Sequence, residues 1–95
     1  MPDRTPLSDD AIAEALAGLD GWSHDGDRLV RTWAFDSFRE AFAFLTRVAF
    51  EAEALDHHPE ISNVYGRVTL ALATHDAGDR VTDTDVALAR RLSAL

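Results

Sequence analysis

Apolar residues along this chain switch between helical and strand periods. Ile12, Ala15, Leu16 and Leu19 recur at helical spacing. Ser8 can cap this first helix, with Asp9 and Asp10 in the first turn, where negative charge is favoured. Gly18 and Gly21 close it. A short strand is predicted from Trp22, then an Asp25-Gly26-Asp27 turn, then a second strand over Arg28 to Phe35. Leu29, Trp33 and Phe35 share one parity there, and Arg31 breaks it, so one face should be only partly buried.

Residues 37–56 read as a long central helix, with Asp36 or Ser37 as cap and Glu40 placed for a capping box if Ser37 is the cap. Phe38, Phe42, Leu45, Ala49 and Ala52 form the expected core stripe, widened by Phe44, Val48 and Leu55. Phe50 lies off that stripe among small residues, which points to contact between subunits; a singly exposed Phe is the plain alternative. After Pro59, residues Ile61 to Tyr65 and Arg67 to Thr74 predict a hairpin with Gly66 in or near its turn. Val68, Leu70 and Leu72 should face the helices. Thr69, Ala71, Ala73 and His75 face the other way, and their small size suggests a hollow beside His75. Thr82 or Asp83 caps a last helix carrying Val86, Leu88, Ala89 and Leu92. The order αββαββα predicts an α+β fold with a four-stranded antiparallel sheet.

Composition narrows the picture. A chain of 95 residues is expected to form one domain with one modest core. It has no cysteine, hence no disulfide framework or thiolate chemistry. No apolar run approaches the roughly 20 residues of a membrane span. The start, Met1-Pro2-Asp3-Arg4-Thr5, is polar, so no secretory signal is expected and the cytoplasm is the simplest location. A net charge of −8 argues against a nucleic-acid surface.

The chemistry concentrates in histidine. Three of the four histidines are His57, His58 and His75, with Glu53 four residues before the pair and Asp56 adjoining it. Imidazole, with an ordinary pKa of about 6.5, gives and takes protons near neutrality, as general acid–base catalysis requires. Glu53 and His57 would share a helix face. Pro59 should push His58 out of the helix into extended backbone, so that the two rings flank one cavity. Histidines at helix ends also interact simply with the last carbonyls. Three imidazoles can bind zinc, although there is no HExxH motif and no cysteine ligand.

The ordered set Glu53, His57-His58-Pro59, Tyr65, His75 and Asp85 resembles the signature of the pterin-4a-carbinolamine dehydratases. The segment Phe38 to Ala49 resembles that family's central helix, and Asn63-Val64-Tyr65 and Thr74-His75-Asp76 its hairpin and strand end. Trp22 sits where the family usually has tryptophan. The resemblance covers roughly residues 7 to 93. Ile61 and Ser62 replace aromatics common in the family, and the loop Ala77 to Arg80 and Thr84 also differ from some members.

The resemblance implies helices on one face of the sheet, assembly as a homodimer or homotetramer, and dehydration of the 4a-hydroxytetrahydropterin released by aromatic amino-acid hydroxylases. That reaction needs no metal, nucleotide or redox cofactor. By this reading His57 and His75 transfer protons, and His58 contacts and orients the pterin and can share in proton transfer. Glu53 biases the charge or tautomer of His57. Asp56 lines the pocket, Asp85 either assists or simply starts the last helix, and Trp22 either walls the site or fills the core. Tyr65 is read as structural and His24 as a solvated surface residue. The competing reading is a non-catalytic protein-binding module of the same fold.

Overall fold

A computed structural model describes residues 3–95, so the first two positions of the N-terminal stretch lie outside it. Helix α1 spans Asp9–Leu16, strands β1 and β2 span Ser23–Asp25 and Arg28–Ala34, and helix α2 spans Phe38–Leu55. Strands β3 (Glu60–Val64) and β4 (Arg67–Leu72) follow, then a 3-10 turn over His75–Ala77 and helix α3, Asp83–Ser93. The sheet is antiparallel throughout in the order β1-β2-β4-β3, which puts β4 inside and β3 at an edge. The α+β class and the αββαββα order match the sequence reading.

Local chemistry accounts for the boundaries. Ser8 accepts a hydrogen bond from the Ala11 amide, and Ser37 accepts one from the Glu40 amide. The Glu40 carboxylate reaches the Asp36 amide at 3.4 Å, not Ser37 as a full capping box would require. Thr82, not Asp83, caps α3, and Asp85 completes a capping box with it. Gly66 has an absolute spatial requirement: a Cβ there would lie 2.2 Å from the Phe35 carbonyl oxygen.

Leu29, Val68, Leu70 and Leu72 are fully buried beneath the helices, joined by Val48, Leu88, Ala89 and Leu92. Truncating one such leucine to alanine typically costs about 2–5 kcal/mol. The parity break at Arg31 also finds its reason. Its guanidinium lies 4.5 Å from the Trp33 ring centroid and its Nη1 donates to Ser93 Oγ.

Two expectations about the helices and strands need correction. Helix α2 buries Ala41, Phe44, Val48 and Ala52, whereas Phe38 and Phe42 are about half exposed and lie against each other. The true stripe is rotated from the predicted one. Phe44 reaches Trp33 and Phe35 at ring distances of 4.9 and 5.2 Å, and the small Ala41 lets the helix approach. Strand β4 stops at Leu72, so His75 begins a 3-10 turn instead of ending the strand.

Candidate active site

The end of α2 sets the site. Asp56 adopts the left-handed conformation, with φ 49° and ψ 47°, and its amide donates to the Ala52 and Glu53 carbonyls. The His57 amide then donates to the Ala52 carbonyl. This is the geometry of a helix C-terminus closed by a left-handed residue. The helix therefore ends before Pro59 can act, and His57 lies outside it. The predicted i, i+4 contact of Glu53 with His57 does not form.

The two histidines instead find different carboxylates. His57 is buried, and its Nε2 lies 2.5 Å from Asp85 Oδ1. Asp85 is itself completely buried. Its other oxygen accepts from the Thr74 hydroxyl and the Thr82 amide, each at 2.8 Å. His58 is exposed, and its Nε2 lies 2.6 Å from Glu53 Oε1. On the second wall, His75 Nδ1 lies 3.1 Å from Asp79 Oδ1. Each imidazole thus has one ring nitrogen bonded to its own carboxylate, which orients the ring.

His57, His58 and His75 line one cavity of about 230 Å³, together with Asp56, Asp76, Ala73 and Arg4. That is smaller than the roughly 300–1,000 Å³ pockets of drug-sized ligands, and suits a small ring system partly open to solvent. Ala73 leaves the expected room beside His75.

Of the residues singled out from sequence, the fold brings together His57, His58, His75 and Asp56. Glu53 and Asp85 stand behind the histidines and reach the cavity through them. Trp22 is excluded as a wall: it sits in the core, edge-on to Trp33 at 5.6 Å, with its indole N–H donating to Ser93 Oγ. Tyr65 is among the most exposed residues, at the β3–β4 turn with φ 50°. Sequence reasoning missed Arg4, Asp76 and Asp79. Asp79 carried a usable signal, since it lies four residues after His75. Arg4 carried none, because its partners are 52 and 72 residues away. Among the described residues, no group of three or more histidine or acidic side chains is arranged to hold a metal ion.

Comparison with known proteins identifies the family. The sequence model of the family described as "Pterin 4 alpha carbinolamine dehydratase" matches residues 5–95. A protein of Opitutus terrae provisionally named a pterin-4-alpha-carbinolamine dehydratase is 55% identical over 91 residues, covering 96% of this chain and 94% of its own. One of Mesorhizobium japonicum with the same provisional name is 53% identical, covering 95% and 93%. A crystal structure described as a transcriptional coactivator/pterin dehydratase from Brucella melitensis superposes with a TM-score of 0.89 at 40% identity, covering 95% of this chain and 97% of that one. A more distant structure, a pterin dehydratase-like protein described as a RuBisCO assembly factor in the alpha-carboxysome, gives a TM-score of 0.61 at 26% identity, covering 77% and 83%. With the family's model spanning all but the first few residues, the chain belongs to the pterin-4-alpha-carbinolamine dehydratase family.

Proposed function

We propose that the protein removes water from a 4a-hydroxytetrahydropterin to give the quinonoid dihydropterin. The observation that carries this reading is the cavity ringed by three imidazoles, each bonded to its own carboxylate. Hydroxide is a poor leaving group, so the 4a oxygen takes a proton as the C4a–O bond breaks. N5 gives its proton to a base, and its electron pair forms the C4a=N5 bond. One water leaves, and no oxidant or reductant is consumed.

His57 and His75, both lining the cavity, are the proposed proton-transfer groups. His58 contacts the ring and is oriented by Glu53. Asp56 lines the pocket, and Asp85 acts through His57 by fixing which ring nitrogen carries hydrogen. Positioned acid–base groups of this kind typically contribute about 10²–10⁴-fold in rate. A cytoplasmic location, and an aromatic amino-acid hydroxylase as the source of substrate, complete the reading.

The exposed Phe38, Phe42 and Phe50 on α2 support self-association as a homodimer or homotetramer. They also favour a second reading, a binding module, as the assembly-factor description of the distant structural relative suggests. Stopped-flow dehydration of chemically generated 4a-carbinolamine separates the two. The wild type should outpace the spontaneous reaction, and His57→Gln and His75→Ala should each slow it by at least about tenfold. Near-wild-type rates in both variants would overturn the assigned roles, and a wild type without turnover would leave the binding reading.

A further inference from the structure

Residues 3–7 cross the start of α3 and end at the cavity. The Leu7 amide donates to the Val81 carbonyl at 2.9 Å, and Pro6 bridges to Thr82. The Asp3 carbonyl accepts from the Thr84 amide and hydroxyl at 3.3 and 3.1 Å. The Asp3 carboxylate accepts from the Thr5 hydroxyl and amide, which hold its carboxyl below the usual carboxylate range. The segment is thus tied down on both sides of Arg4.

Arg4 lines the cavity and bridges its two histidine-bearing segments. Its Nη1 donates to Asp76 Oδ2 and its Nη2 donates to the main-chain carbonyl of Asp56, each at 3.2 Å. Asp56 immediately precedes His57-His58, and Asp76 immediately follows His75. Inside the fold, Asp85 joins the same two segments by bonding both His57 and Thr74. The histidine-bearing walls are therefore linked twice, once from the core and once from the solvent side.

We propose that residues 3–7 form a strap belonging to the active site, in which Arg4 is a positioning residue that fixes the separation of the His57-His58 and His75 walls. The proposal rests on the dehydratase reading for its catalytic consequence. A planar guanidinium has two Nη groups at a fixed spacing, so it holds two acceptors at a set distance as a lysine ammonium does not. The Arg4–Asp76 pair is partly exposed, and pairs of that kind add little to global stability. Its effect falls on geometry, where a displacement of about 1 Å can cost on the order of 10²-fold in rate.

The test compares the full-length wild type with Arg4→Met, Asp76→Asn and the double variant. Readouts are kcat, KM, thermal midpoint and amide hydrogen exchange at residues 56–58 and 75–79. Arg4→Met should lower kcat about tenfold with KM within about twofold and an unchanged thermal midpoint. Asp76→Asn should lower kcat in the same direction, and the double variant should lose less than the sum of the single losses. Exchange should quicken in both segments and stay constant in β2 and β4. A raised KM with unchanged kcat would mean direct substrate contact and overturn the proposal, as would additive losses or unchanged exchange. The exchange comparison decides the strap even if the wild type fails to turn over carbinolamine.

Discussion

His57–Asp85 and His75–Asp79 are both imidazole–carboxylate pairs on the same cavity, yet they sit in opposite environments. In the first, the side chains are 6% and 0% exposed; in the second, 92% and 60%. Asp85 also caps α3 and anchors Thr74, so the first pair belongs to the framework as well as to the site. The second hangs from a short 3-10 turn and supports nothing else. A buried pair cannot lose one partner without stranding polar groups away from water, whereas an exposed pair is replaced by solvent. Shared chemistry therefore carries very different structural consequences.

The largest effect that would sharpen this contrast is Asp85→Ala. It strands the His57 ring N–H and the Thr82 amide, and should cost about 3–5 kcal/mol in urea denaturation as well as most turnover. Asp79→Asn, at a position with φ 60° that asparagine tolerates, should shift stability by less than about 0.5 kcal/mol. Equal losses in the two variants would break the comparison.

Glu53→Gln should act at an intermediate level. The His58–Glu53 pair is exposed, so stability should change by less than about 1 kcal/mol, while pterin affinity measured by titration weakens by a few-fold. Unchanged affinity would remove His58 from ring contact.

The smallest effect concerns acid. The Asp3 carboxyl is held below its ordinary value of 3.8 in the folded chain, chiefly by the Thr5 hydroxyl. A depressed folded value means that the contact is fully present above about pH 3.8 and is lost as pH falls through the lower folded value. The Thr5 amide resonance in NMR should therefore move only at the acid end of a titration. Movement near neutrality would contradict this link.

Much of the fold was legible because its signals are local. The hairpin turn at Asp25-Gly26-Asp27, the buried alternation of Val68, Leu70 and Leu72, and the serine caps each depend on a few neighbouring residues. The central helix shows where locality fails. Two overlapping stripes, one through Phe38 and Phe42 and one through Ala41, Phe44 and Val48, are both helical in period. Hydrophobicity favoured the bulkier stripe, while Trp33 and Phe35 on the sheet selected the other.

By itself the sequence determined that helices and strands alternate as αββαββα, and that imidazoles and carboxylates gather around His-His-Pro and His75. Tertiary structure alone decided which carboxylates His57 and His58 meet. A left-handed Asp56 turns the chain three residues before Pro59, sending His57 inward to Asp85 and leaving Glu53 to His58. Hydrogen-bond partners 28 residues apart, or 72 in the case of Arg4, are fixed by the relative placement of whole elements, which no local spacing encodes.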